Sequence, residues 1–311
     1  MRAGTERRGR ARRGLLAAMM TMGAAVAGAQ SADDGFPVTR GQLRLTVDHG
    51  VDRWRTYWEG TRRRDNANIG TLSTRRTTAT IGYGVTHALS VFAALPWVAT
   101  TASQGVLAGQ QGAQDLSVTA KLRALDTPFT RRGRVSAYLF GTGSTPVTDY
   151  SPDFLPLSIG LGARRATARA LVHYQDRSGL FAEAAVAHTW RSTVTLDRPA
   201  YYTDGRLVLS NEVAMPDVAE YSATLGLAAG PLCLPVTFID SRTLGGGDIR
   251  RQDMPFVSNR MNAQRLHVQV MLDLPFHPAL RANVGMMQVL HGRNVGLSTM
   301  WSGGFTYALG R

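Results

Sequence analysis

The chain has 311 residues, a formal net charge of +13 and a single cysteine, Cys233. One cysteine excludes an internal disulfide, so backbone pairing and burial must hold the fold together. So basic a chain would ordinarily suggest nucleic acid as its partner, but the amino terminus argues that it leaves the cytoplasm.

Residues Met1 to Arg13 carry six arginines (Arg2, Arg7, Arg8, Arg10, Arg12 and Arg13) against one acid, Glu6. An uncharged apolar run follows from Gly14 to Ala27 and closes on Ala27-Gly28-Ala29. A basic n-region, a short apolar core and an Ala-x-Ala exit are the three parts of a secretory signal peptide. The predicted organisation is therefore a signal peptide over residues 1–29 and one domain over 30–311. The apolar run is too short for a membrane span, which needs about 20 such residues. Cleavage takes away six positive charges and one negative, lowering the formal charge from +13 to +8. The basicity that remains is almost wholly arginine, with Lys121 the only lysine. Nucleic acid is not an expected partner of an exported chain; lipopolysaccharide phosphates and small anionic solutes are, and the guanidinium fork suits both. The stretch from Gln30 to Arg40 looks too short to plug a channel.

Beyond the amino terminus no apolar run is long enough to cross a membrane as a helix, and what recurs is alternation at period two. Ala79, Ile81, Tyr83 and Val85 oppose Thr78, Thr80, Gly82 and Gly84. Leu89, Val91, Ala93, Leu95 and Trp97 oppose Ser90, Phe92, Ala94 and Pro96. Leu116, Val118, Ala120 and Leu122 oppose Ser117, Thr119, Lys121 and Arg123; Val135, Ala137 and Leu139 oppose Ser136, Tyr138 and Phe140. A soluble sandwich and a membrane barrel both produce such strands. Small residues on the polar faces, and aromatics near strand ends (Tyr83, Trp97, Trp190, Trp301, Tyr307), fit a barrel with girdles at two headgroup levels. The expected fold is all-β, an antiparallel outer-membrane β-barrel.

Strands are expected near 42–57, 74–85, 88–98, 115–124, 133–143, 157–174, 179–190, 218–229, 232–240, 260–274, 279–290 and 294–309. The connections alternate short and long, as tight periplasmic turns and longer extracellular loops do. Two break the pattern: 125–132 is middling, and 291–293 is tight where a long loop is due. Twelve strands is the best count, with ten and fourteen open. The sixth is the weak point, because its alternation fails at Arg164-Arg165, implying a bulge or an extra turn. Within the longest loop, Thr203-Asp204-Gly205 between Tyr201-Tyr202 and Arg206-Leu207-Val208-Leu209 signals a hairpin. In the last strand Trp301, Gly303, Phe305, Tyr307 and Leu309 share one face, the kind of final strand that barrel-assembly machinery recognises. It departs from that pattern by running on to Gly310-Arg311.

The run from Ile81-Gly82-Tyr83-Gly84-Val85-Thr86-His87 to Leu95-Pro96-Trp97, followed by Gln114-Asp115 and the strand to Lys121, resembles the outer-membrane transporter family named after the meta-pathway of phenol degradation (MetA type). The resemblance is strongest over residues 75–125 and rests mostly on glycines and turns. It implies a barrel that moves solutes, often hydrophobic or aromatic ones, and brings no catalytic residues with it.

The search for chemistry leaves little. Gly141-Thr142-Gly143-Ser144-Thr145 misses the hydrolase elbow Gly-x-Ser-x-Gly, and the seven histidines show no His-Glu-x-x-His spacing. His188-Thr-Trp-Arg-Ser192 does not put His and Ser two apart on one strand face. No catalytic residue, cofactor or metal site is expected, and the protein is not expected to be an enzyme. Gly245-Gly246-Gly247-Asp248-Ile249-Arg250-Arg251-Gln252-Asp253 is either an anion cradle or, the favoured reading, a tight loop whose Asp and Arg pair with each other. Arg62-Arg63-Arg64 in another loop suits lipopolysaccharide phosphates. The candidates for contact with a solute are Lys121 and Arg123, with Tyr138 and Phe140, in the lumen, and Tyr201, Tyr202, Arg250 and Arg251 in loops. A small solute, passively conducted and apolar, aromatic or anionic, is the expected cargo; a closed barrel that binds partners through its loops, or a soluble periplasmic β-protein, are the alternatives.

Overall fold

The computed structural model describes residues 32–203, 205–250 and 255–310. The predicted signal peptide lies outside them. Twelve antiparallel strands form the wall: β1 (Leu43–Trp54), β2 (Leu72–Gly84), β3 (Leu89–Ala102), β4 (Asp115–Pro128), β5 (Gly133–Pro146) and β6 (Arg165–Asp176), then β7 (Leu180–Arg191), β8 (Val218–Ala229), β9 (Leu232–Thr243), β10 (Asn262–Asp273), β11 (Leu280–Arg293) and β12 (Thr299–Leu309). Each pairs with its sequence neighbours. The ring closes where β1, already paired with β2, also pairs with β12 from Leu43↔Leu309 to Arg53↔Thr299. Closure leaves no wall strand with an unpaired edge, the condition for β-structure to sit in hydrocarbon.

The period-two pattern sorts the side chains as expected. Leu45, Val47, Ile81, Leu95, Val118, Leu139, Val186, Val270, Val284 and Phe305 are exposed on the outer wall. The outward aromatics fall at two levels. Tyr83 and Tyr307 pair across to Leu43 and Leu45 at the end where β1 begins, whereas Trp301 and Trp97 stand on rungs near the other end, opposite Val51 and Thr77. An apolar band between two aromatic girdles is the exterior of an outer-membrane barrel, and there the chain resides.

The tight turns at 85–88, 129–132, 177–179, 230–231 and 274–279 lie at the end that holds both ends of the wall, and the longer loops lie at the opposite, extracellular end, where 294–298 is the short exception. The middling connection is one of the tight turns, since β4 runs on to Pro128 with its register shifted between Arg123 and Leu125. Three boundaries need correction. The sixth strand begins at Arg165, so Arg164-Arg165 marks a strand start rather than a bulge, and 157–164 belongs to a loop. The twelfth begins at Thr299, which gives 294–298 to the last extracellular loop. Within the expected loop 99–114, β3 extends to Ala102 and Gln111–Ala113 folds back to pair with it.

The loops interlock. Val194, Leu196, Tyr201, Val213 and Met215 from the longest loop pack with Ala163, Phe256 and Val257 from its neighbours. The predicted hairpin is present, with Tyr201 opposite Val208 and Thr203 opposite Arg206. Asn294, in the left-handed region at φ 56°, ties three loops together: its Oδ1 accepts from the backbone N–H groups of Gly60 (2.8 Å) and Ile249 (3.0 Å), and its Nδ2 donates to Asp248 and to the Arg260 carbonyl (both 2.8 Å).

Candidate functional site

The inner wall carries the polar half of the alternation, and its centre is occupied. Residues 32–41 fold back into the barrel from the periplasmic end, against the expectation that this stretch is too short for a plug. It need not span the lumen; it has only to reach the middle of the wall. Lys121, midway along β4 and 1% exposed, donates from Nζ to Asp34 Oδ1 (2.8 Å) and to the Phe36 carbonyl (2.7 Å). The rings of Tyr138, Phe140 and Phe92 stand 5.5, 5.7 and 5.8 Å from the ammonium. A cation walled by three aromatic faces and paired with one carboxylate is well compensated for its burial.

The segment is seated on its other side as well. Gly35 donates its N–H to Glu183 Oε1 (2.8 Å), which also meets His173 Nδ1 (2.9 Å). A side chain at position 35 would collide with the His173 ring. Phe36 meets His173 and Phe181 edge-on at 4.8 and 5.3 Å, and packs with Ala228, Cys233 and Met271.

Beside the plug lies a cavity of about 300 Å³ lined by Arg169, Glu183, Glu220, Thr224, Thr237, His267 and Gln269. A second of about 200 Å³, toward the extracellular end, shares Asp33, Arg169 and Glu220 with it and adds Phe140 and Thr142. Arg169 stands at their junction, 3.6 Å from Glu220, donating to Ser222 Oγ (3.2 Å) and 6.0 Å from the Phe140 ring centroid. Above it, Arg165 pairs with Asp115 (2.9 Å), which also accepts from the Tyr150 hydroxyl (2.8 Å).

The candidate residues separate into groups. Lys121, Tyr138 and Phe140 come together: Lys121 is held by the plug, Tyr138 and Phe140 pack with Leu171, and Phe140 also faces Arg169. Arg123 faces inward near the periplasmic end, donating to the His87 carbonyl (2.9 Å) and pairing with Asp126 (3.5 Å). Tyr201 is buried in the loop cluster, stacked on Phe256 at 5.0 Å, whereas Tyr202 is exposed. Arg250 is exposed beside Gly205, and Arg251 lies outside the described residues. Asp34, Phe36, Arg169, Glu183 and Glu220 were missed. Arg169 and Glu220 were open to discovery, because continuing the alternation along β6 and β8 turns both inward.

In the glycine-rich loop Asp248 pairs with Arg293, accepting from Nε (2.7 Å) and Nη2 (2.6 Å), while Arg251, Gln252 and Asp253 lie outside the described residues. Hydrogen bonds from Arg293 and then from Asn294 hold this carboxyl below the usual range. A carboxyl depressed in the folded state stabilises it above the unfolded value, and that contribution disappears as pH falls through the folded value. The loop should therefore loosen from about pH 4 downward. Asp248→Asn should loosen it at neutral pH, seen as faster protease cleavage within 244–261; cleavage at the wild-type rate would refute this role. His188 and Asp217 form a pair (3.1 Å) at the rim. Among the described residues no three His, Cys, Asp or Glu are placed to hold a metal.

No family model and no curated protein matches the chain. Among solved structures it is similar to the COG4313 outer membrane channel from Pseudomonas putida F1, with a TM-score of 0.65 at 12% identity over 89% of this chain and 98% of that one. The NanC porin (TM-score 0.45, 8% identity, 85% and 100% covered) and the CymD monoaromatic hydrocarbon channel (0.41, 11%, 88% and 90%) are more distant. At these identities the likeness is one of fold.

Proposed function

We propose that this protein is a passive outer-membrane channel for small solutes, of the kind implied by the resemblance in residues 75–125, and that it works by binding and transport without catalysis. The observation that carries the reading is the pair of cavities meeting at Arg169. A barrel serving only as a scaffold has no need of polar space beside its plug, whereas a conduit needs weak, successive polar contacts along its length. The first-named structural neighbour, described as an outer membrane channel, supports the same reading. Arg169 beside Phe140 offers a guanidinium and an aromatic face together, which suits an aromatic carboxylate. Tyr202, Arg250 and Arg251 are the outer contacts such a solute meets first, and Arg123 the inner one. The chain is exported through a cleaved signal over residues 1–29, and Trp301, Phe305, Tyr307 and Leu309 present the assembly signal.

Uptake into liposomes carrying the purified barrel tests this, with benzoate, a neutral aromatic of similar size and a dianionic aromatic compared with protein-free vesicles. Benzoate should enter fastest. Rates equal to those of empty liposomes for all three would sink the channel and leave the alternative of a closed barrel acting through its loops, a reading favoured by the seated plug and the interlocked loops.

A further inference from the structure

The outer wall carries two guanidiniums that burial does not explain. Arg53 continues the lipid-facing row Leu45, Val47, His49, Val51 on β1, and Arg75 continues the row Tyr83, Ile81, Ala79, Thr77 on β2. Both are exposed. Arg53 pairs in register with Ser73 and Arg75 with Val51, so they are diagonal neighbours roughly 7–8 Å apart, with their Cβ atoms somewhat closer. Two guanidinium arms from such positions converge on one anion. Among the described residues no acid pairs with either. Elsewhere on the outer wall Arg242 is neutralised by Asp240 at 2.6 Å, and Arg64 in the hairpin above β1 by Glu59 at 2.6 Å.

Their depth identifies the anion. Trp301 faces outward on β12 opposite Val51, on the same rung as Arg75, and Trp97 on β3 lies one rung below, opposite Thr77. Tryptophans on a barrel exterior sit at the headgroup boundary, which puts Arg75 at that boundary and Arg53 one rung above it. The rung of Arg53 is completed by Ser73, Thr101 and Thr299, hydroxyls that also donate to phosphate. This is the extracellular end, where the leaflet is lipopolysaccharide and the charged groups at that depth are the phosphates of lipid A.

We propose that Arg53 and Arg75 form a binding site for a lipid A phosphate on the β1–β2 face of the barrel. The two forks clamp the phosphate oxygens, the hydroxyl rung closes the top, and acyl chains run down the apolar wall past Val47 and Ile81. The site lies beside the seam where β12 meets β1. It rests on the barrel and its orientation, not on the channel reading, so a barrel that conducts nothing leaves it untouched.

The test is native mass spectrometry of the detergent-purified barrel titrated with lipid A, with lipid A stripped of its phosphates, and with phosphatidylglycerol. The wild type should retain lipid A and lose it when the phosphates are removed. R53Q/R75Q should retain it about tenfold less well, as expected for the loss of charge-assisted contacts, with heat-modifiability unchanged. R242Q, made on the far face, should bind as the wild type does. Equal retention by wild type and R53Q/R75Q would overturn the site. Retention of phosphatidylglycerol as strong as that of lipid A, and equally sensitive to R53Q/R75Q, would overturn lipid A as its occupant.

Discussion

Replacing Lys121 with methionine should release the amino-terminal segment from the lumen while leaving the barrel closed. Methionine keeps the length and the contact with Phe92, Tyr138 and Phe140 but removes the ammonium that meets Asp34 at 2.8 Å and the Phe36 carbonyl at 2.7 Å. Breaking a buried pair by deleting one partner costs about 3–5 kcal/mol, because the other charge stays desolvated. The wall has no way to escape that cost, but a ten-residue segment does, by leaving for the periplasm. Cys233 reports the event. It is 1% exposed and packs under Phe36 with Phe181 and Met271, so a small maleimide reaches it only when Phe36 lifts. Labelling should be about a hundredfold faster in Lys121→Met than in the wild type, and liposome uptake of the smallest probes should rise with it. Asp34→Asn should move both readouts the same way but less, since an amide still accepts from Lys121. A retained heat-modifiable band separates release from unfolding. Slow labelling of Cys233 in an intact Lys121→Met barrel would show that the pair does not hold the segment.

The contrast between wall and plug explains what the sequence disclosed. A strand announces itself locally, because side chains alternate between two solvents at every residue. Val218–Ala229 was read end to end, and Tyr138 and Phe140 were turned inward from parity alone. Errors arose where that contrast faded. Arg165 is a lumen residue paired with Asp115, while Arg164 next to it belongs to a loop, so two arginines in sequence looked like a fault inside a strand. Thr100 and Thr101 carry no solvent contrast, so the upper part of β3 was taken for loop. Asp34 and Phe36 have no periodicity to reveal them. Their positions come from a contact 87 residues away in sequence and from rings on two further strands. The buried lysine was a partial clue: a lone ammonium on an inward face must find a carboxylate, and Asp33-Asp34 are the first acids after the predicted cleavage site.

Deleting residues 301–311 should abolish the barrel altogether, because β12 is the strand through which the sheet becomes a ring. Its register with β1 runs from Thr299 to Leu309 and with β11 from Thr299 to Tyr307. Without it the inner edges of β1 and β11 present unpaired N–H and C=O groups to lipid, each at several kcal/mol, far beyond the stability of a domain. An eleven-strand ring would need β1 and β11 to pair in parallel and to give up the antiparallel register that each makes with β12. The truncated chain should be missing from the outer membrane and show no heat-dependent shift in migration; a folded, membrane-embedded product would refute the closure argument. Removing only Gly310-Arg311 isolates the cause. The paired register ends at Leu309, so this shorter deletion leaves the ring complete and should assemble as the wild type does. Should it fail too, the last residues are read by the assembly machinery in their own right, and the outward row of Trp301, Phe305, Tyr307 and Leu309 is not a sufficient signal.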